Sequence, residues 1–276
     1  MQKAVEEARP RFDARRHDTS FNFKNDGEFD MKSATRLALA ALALPLTLAA
    51  CGSEGEGGEI AASDALDPIP APEGTEWTQV SEVTELGGVR VGNPDAPLKL
   101  VEYASHTCGA CANFAAQSHE TLESYIEKGI LSLEQRNQVH NIIDITFATL
   151  AFCGDPGAYQ PLSRQAWSDV PGLVGPAQAN EAGMTAAMQV TDDTRFQKIA
   201  EAAGLVDWFA ARGLSRDKAM QCLSGSETPL AIAERSETQS NELGVTGTPT
   251  FFLNGNKLEE QSWADLQPVL ERAGAR

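Results

Sequence analysis

Leu98-Lys-Leu-Val-Glu-Tyr-Ala104-Ser-His-Thr-Cys108-Gly-Ala-Cys111-Ala-Asn-Phe114 is the stretch on which the fold turns. Leu98 to Ala104 has apolar residues on both faces, the pattern of a central strand covered on two sides. From Cys111 to Ile126 the residues Cys111, Phe114, Ala115, Leu122, Tyr125 and Ile126 fall at helical spacing, and Gly129 stops the run. The thiols of Cys108 and Cys111 therefore stand where a strand gives way to a helix. Positions i and i+3 of a helix lie about 5 Å apart, within the span of a disulfide. Cys108 meets the unpaired N–H groups and positive dipole end of that helix, which favour a thiolate, the attacking species in thiol–disulfide exchange.

Outward from this stretch, Gly88-Val-Arg-Val-Gly92 predicts a short strand, Asn93-Pro94-Asp95 a turn, and Ile130 to Gln135 a second strand. From Ile142 to Gly244 the pattern is mostly helical, with breaks at Gly154-Asp155-Pro156-Gly157, Pro171-Gly172 and Gly213 and helix caps at Ser215 and Ser226. Trp167, Phe196, Trp208 and Met188 sit in apolar helical patterns there and are expected in the core. Strand pattern returns at Thr250-Phe-Phe-Leu253, turns at Asn254-Gly255 into Asn256-Lys257-Leu258, and gives way to a helix over Ser262 to Ala273. The expected organisation is a sheet domain over residues 77–141 and 245–276, interrupted by a helical insertion over 142–244.

Residues 31 to 51 bear on the compartment. Met31-Lys32 and Arg36 form a basic start, Leu37 to Leu48 an apolar run too short to span a membrane, and Leu48-Ala-Ala-Cys51 resembles a bacterial lipobox. Residues 31–50 are then a lipoprotein-type signal peptide and Cys51 the lipidated first residue, with a cleaved signal and a free Cys51 thiol as the alternative. Residues 1–30 are charged and patternless and are set aside as a non-native or mis-assigned upstream extension. Residues 51–76, rich in Gly, Glu, Ser, Ala and Pro, read as a flexible acidic tether.

The whole chain carries a net charge of −17, and the part from Cys51 onward a net −18, from 14 basic and 32 acidic side chains. Such a surface excludes nucleic acid as a partner and lacks the basic stripe that docks on anionic lipid. Of five cysteines, a lipidated Cys51 leaves an even set in an exported chain, which suggests two disulfides: Cys108–Cys111 and, by remainder, Cys153–Cys222. Two independent buried thiols at 153 and 222 are the alternative. A zinc ion held by all four cysteines fits poorly, because structural zinc sites carry two close pairs and the second pair here is split by most of a domain.

With this element order, the chain resembles the DsbA-like family of bacterial exported thiol–disulfide oxidoreductases. Val101-Glu102-Tyr103-Ala104-Ser105 leads into Cys108-Gly-Ala-Cys111, the helical insertion follows, and Gly244-Val-Thr-Gly-Thr248-Pro249-Thr-Phe-Phe-Leu-Asn-Gly255 matches the family's cis-proline loop and hairpin. The resemblance covers residues 77–276 and implies an α/β thioredoxin-like fold: a central mixed sheet flanked by helices, with an inserted all-helical domain. It implies Cys108 as nucleophile, Cys111 as the buried resolving thiol, and Pro249 as a cis-proline whose neighbour Thr248 offers its backbone to an extended substrate. Glu102 shares a strand face with Leu98 and Leu100 and is expected to point into the core, where its pKa should rise, a strand-end glutamate that reaches water being the alternative. In the family a buried acid at this position shuttles protons near the dithiol.

Gly109 and Ala110 are expected to tune the couple. Strong oxidants of the family carry histidine where Ala110 stands and tend to valine where Thr248 stands, so a weaker oxidant is expected. His106 is a candidate source of the missing positive potential, a solvated loop histidine being the alternative. No metal or organic cofactor is implied. The expected partners are unfolded or partly folded exported proteins and a redox partner that resets the dithiol, met by a monomer anchored at a bacterial membrane, on its periplasmic side, through Cys51. A disulfide reductase or isomerase uses the same residues. From a different class, a holdase or a Cu(I) metallochaperone with Cys108 and Cys111 as soft ligands is the rival, although no methionine- or histidine-rich ligand set flanks the pair.

Overall fold

A computed structural model describes residues 62–276. The upstream extension, the signal peptide, Cys51 and the first part of the expected tether lie outside the described residues.

Six strands form one mixed sheet in the order β1-β2-β4-β3-β5-β6. They are β1 (Ser81–Val83), β2 (Val89–Gly92), β3 (Leu98–Ala104), β4 (Leu131–Asn137), β5 (Thr250–Leu253) and β6 (Asn256–Lys257). The apolar β3 lies at the centre, parallel to β4 in register from Leu98↔Leu131 to Ala104↔Asn137 and antiparallel to β5 from Leu100↔Leu253 to Tyr103↔Thr250. A strand with neighbours on both edges and helices on both faces has no face to give to water, which is why its apolar residues do not alternate cleanly.

Helix α1 (Gly109–Glu127) makes the crossover from β3 to β4. It packs Phe114, Leu122, Tyr125 and Ile126 on the sheet in one core with Leu100, Leu131, Phe251 and Leu253. Gly129 ends it with φ +70°, where any side chain would collide with Ile69 and the Trp77 indole. Asn254 and Gly255, both at positive φ, make the tight β5–β6 turn, and α10 (Trp263–Arg272) closes the sheet core through Trp263, Leu266, Val269 and Leu270.

Between β4 and β5 the chain runs through α2 (Ile142–Ala151), α3 (Pro156–Ser168), α4 (Val170–Ala179), α5 (Glu181–Met188), α6 (Arg195–Ala202), α7 (Leu205–Ala210), α8 (Arg216–Cys222) and α9 (Glu227–Leu243). These helices bury a second core around Phe147, Leu150, Tyr159, Ile199, Leu205 and Phe209. Asn141, Asp155, Asp169, Asn180 and Ser215 each cap a helix start with a side-chain oxygen. A disulfide joins Cys153, just past α2, to Cys222 at the end of α8, with Cα atoms 6.0 Å apart.

Four expectations need correction. Ser226 precedes α9 but its side chain makes no capping bond. Pro171-Gly172 does not separate helices; it forms the first turn of α4, where a proline's missing N–H costs nothing. Met188 is 50% exposed, because the two-turn α5 turns Ala187 and, half-buried, Met184 toward the insertion core, whereas Trp167 and Phe196 are buried as the pattern predicts. The described part of the tether is not free. Ser63, Leu66 and Ile69 donate backbone hydrogen bonds to Arg272, Gly274 and Lys128 at 2.8, 2.9 and 2.8 Å, and Leu66 and Ala71 pack on the sheet core. A few apolar residues among the acids and prolines suffice to lay this segment along the body. Strand β1 was not foreseen; three residues are too few to show a period.

Among the described residues, no helix is long and apolar enough to cross a membrane.

Candidate active site

Strand β3 delivers the chain to Ser105-His106-Thr107 and then to Cys108, the N-cap of α1. Its backbone is extended there (φ −87°, ψ 119°), and its sulfur accepts the Cys111 N–H at 3.4 Å. Cys108 is half-buried, Cys111 one turn further is fully buried, and both are free thiols. The Cys108 thiol is pulled down from 9.0 to about 5. The largest cause is the Cys111 thiol donating to its sulfur; the Thr248 hydroxyl and the N–H groups of Cys111 and Ala110 add to this against the cost of burial. Cys111 moves the opposite way, held as a thiol by its bond to Cys108, by burial and by the nearby Glu102 charge. One sulfur is thus ionised and reachable while the other is protonated and hidden.

The second wall comes from 140 positions away in sequence. Gly244 ends α9 in the left-handed conformation, and the loop to β5 contains a cis bond between Thr248 and Pro249. Pairing of Thr250 with Tyr103 on β3 brings this loop against Cys108. As a thiol, Cys108 Sγ donates to the Thr248 carbonyl oxygen at 3.4 Å; ionised, it sheds that contact and keeps its N–H and thiol donors. The buried Thr248 hydroxyl has no hydrogen-bond partner of good geometry among the described residues and lies near enough to the sulfur to favour its ionised form.

Glu102 is 1% exposed and faces the core, as its strand position predicts. Gln135 Nε2 donates to its Oε2 at 3.0 Å, and Oε1 has no hydrogen-bond partner among the described residues. Burial raises its pKa from 4.5 to about 7, opposed by the Gln135 bond and assisted by the Cys108 charge. A cavity of about 100 Å³ reaches it between α1 and α3, lined also by Phe114, Gln135, Gln160 and Arg164. Native stability from neutral Glu102 is full below pH 4.5 and is lost as pH rises past about 7. Glu102→Gln removes this dependence. Between pH 4 and pH 8 the variant should gain about 3 kcal/mol on the unsubstituted protein in paired urea titrations; parallel pH profiles would show that the carboxyl is not held neutral.

Gly109 and Ala110 are exposed at the helix start, and Ala110 offers the sulfur its backbone N–H but no polar side-chain group. His106 corrects both sequence readings. It is 2% exposed, stacked on Phe147 (ring centroids 4.1 Å apart) and Trp167 (5.7 Å), with Nε2 3.0 Å from Ser163 Oγ. Burial depresses its pKa to about 3, so it is neutral at physiological pH and supplies neither positive potential nor a solvated rim. The strand aims its side chain into the helical insertion, a neighbour that β3 meets only in the folded chain.

Sequence reasoning missed Gln135, Thr107 and Asp144. Asp144 is buried in the first turn of α2 and bonds Ser105, Thr107 and His140. The Asn141-x-x-Asp144 pattern announces a helix start, but nothing local shows that this turn faces the residues before Cys108.

An ionised thiol at a helix N-terminus, backed by a buried thiol and faced by a cis-proline loop, defines a dithiol oxidoreductase. The thioredoxin family model matches residues 84–272. The crystal structure of a protein-disulfide isomerase from Novosphingobium aromaticivorans is 32% identical, with a TM-score of 0.61 over 67% of this chain and 96% of that one. Wolbachia pipientis α-DsbA1 shares the fold at 20% identity and a TM-score of 0.52, over 67% of this chain and 90% of that one. No curated protein sequence matches. The chain belongs to the thioredoxin family, and its fold, helical insertion included, is that of the DsbA-like thiol–disulfide oxidoreductases.

Proposed function

We propose that this thiol–disulfide oxidoreductase exchanges disulfides with exported proteins through Cys108 and Cys111. The observation that carries the reading is the half-exposed Cys108 sulfur at the N-cap of α1, accepting the Cys111 N–H and lying 3.4 Å from the Thr248 carbonyl oxygen, surroundings that pull its thiol well below the ordinary range. In the oxidising direction a substrate thiolate attacks Cys108 Sγ of the Cys108–Cys111 disulfide. A mixed disulfide forms and Cys111 leaves with the electron pair, taking a proton that Glu102, near its midpoint at neutral pH, can supply. A second substrate thiolate then attacks the substrate sulfur of the mixed disulfide, and Cys108 leaves as the thiolate. The substrate is oxidised and the dithiol reduced; the redox partner reverses the change. Run backward from the Cys108 thiolate, the same steps reduce or isomerise.

Thr248 and the cis Pro249 line the approach to Cys108, where an extended substrate segment can pair with the Thr248 backbone. Ala110 leaves the thiolate without a cationic neighbour between the cysteines, so the disulfide is a weaker oxidant than one with a reduction potential of about −120 mV. Equilibration with glutathione checks this. In the same reading Cys51 is the lipidated residue that holds the body at the periplasmic side of a bacterial membrane, and the enzyme acts as a monomer without metal or organic cofactor. Trapping tests the function. The full-length Cys111→Ser protein, expressed in its host, should accumulate mixed disulfides with exported thiol proteins, released by reductant. No adducts, or equal adducts on Cys108→Ser, would count against it.

A further inference from the structure

Ser105-His106-Thr107, the segment between the central strand and the nucleophile, is gripped by the helical insertion. Asp144, 2% exposed at the start of α2, receives two backbone N–H groups on different oxygens: Thr107 on Oδ1 at 3.1 Å and His140 on Oδ2 at 3.0 Å. The hydroxyls of Ser105 (3.0 and 2.9 Å) and Thr107 (3.3 Å) donate to the same carboxylate. Asn141 Nδ2 donates to Thr107 Oγ1 at 2.8 Å. From α3, Trp167 Nε1 donates to the Ser105 carbonyl at 2.9 Å, and that carbonyl also accepts the Cys108 N–H at 3.3 Å. A chain of hydrogen bonds therefore runs from insertion side chains, through the Ser105 carbonyl, to the backbone N–H of the nucleophile itself. The two N–H groups on separate oxygens require a carboxylate, since an amide offers one oxygen and would leave one of them facing an NH₂ group.

We propose that Asp144 is the positioning residue of the site, holding residues 105–107 so that the Cys108 sulfur lies against the donors of the α1 N-terminus, and that the helical insertion thereby sets how readily the nucleophile ionises. This rests on Cys108 acting as the thiolate nucleophile. Asp144 works through backbone geometry, not charge: a nearby negative charge would disfavour a thiolate, so loosening the grip and removing the charge move the Cys108 titration in opposite directions.

The experiment is the ultraviolet thiolate absorbance of the reduced full-length protein against pH, with stability measured alongside. Asp144→Asn should raise the Cys108 midpoint by about one pH unit or more and so cut the thiolate present at a pH near the original midpoint about fivefold. An unchanged midpoint with lower stability would make Asp144 merely structural, and a lowered midpoint would make its charge the whole effect; either overturns the proposal. Trp167→Phe keeps an aromatic ring beside His106 while removing the donor to Ser105 together with part of the indole, and should raise the midpoint in the same direction by less. If Asp144→Asn does not fold, an unchanged midpoint in Trp167→Phe overturns the proposal. A midpoint near that of an ordinary thiol in the unsubstituted protein would instead remove the nucleophile reading, and the proposal with it.

Discussion

Cys108→Ser is expected to bring insulin reduction and mixed-disulfide formation to background while leaving the folded body intact. Its hydroxyl keeps the N-cap bond to Cys111 N–H but does not ionise at neutral pH. With a thiol at about 5 instead of 9.0, the unsubstituted protein holds about a hundredfold more thiolate at pH 7 than an ordinary cysteine. The sign of the linked stability follows from a depressed pKa. Thiolate stabilisation of the reduced protein is fully present above pH 9, shrinks as pH falls, and is gone below about 5. The reduced protein should therefore melt at progressively higher temperature, relative to Cys108→Ser, as pH is raised from 5 to 9. Residual turnover in Cys108→Ser, or melting curves that keep a constant offset across that range, would move the chemistry away from this sulfur.

The second large effect is on stability. The Cys153–Cys222 disulfide closes a loop of 69 residues across the insertion core, tying the end of α2 to the end of α8. Chain-entropy reasoning assigns such a closure about 4 kcal/mol, which for a body of this size lowers the melting temperature by roughly 10 °C when both cysteines become serine. Both sulfurs are half-exposed, so the serines add little desolvation cost of their own. Thermal unfolding of the double variant under non-reducing conditions measures the loss. A change below about 1 kcal/mol would mean that the insertion core alone restricts the unfolded chain as much as the bridge does. Activity at Cys108 should survive at temperatures where the double variant is folded, since the bridge lies outside the dithiol site.

Signals confined to a few neighbouring residues were readable in the chain. Leu98 to Ala104 is β3 residue for residue, and the helix expected from Cys111 begins two residues earlier, because its cap is the Cys108 sulfur itself. The Asn254-Gly255 hairpin and the strand at Thr250-Leu253 stand where their turn chemistry and apolar run put them. Glu102 could be assigned to the core from the face it shares with Leu98 and Leu100. These features depend on period, capping and backbone freedom, which act over one turn or one hairpin.

By itself, then, the amino-acid order determined which segments are strands and helices and where two thiols would meet a helix N-terminus. The family resemblance named Thr248 as a substrate-facing residue; the tertiary structure supplies its contact, 140 positions on, with the Cys108 sulfur. Tertiary structure alone decided that His106 would be buried and neutral between Phe147 and Trp167, that Asp144 would grip the residues before the nucleophile, and that Leu66 would lie on the sheet core. The physical reason is the reach of the forces involved. Helical and strand periods are set by bonds between near neighbours, whereas burial, desolvation and the pairing of polar groups depend on which distant surfaces the packed chain brings together.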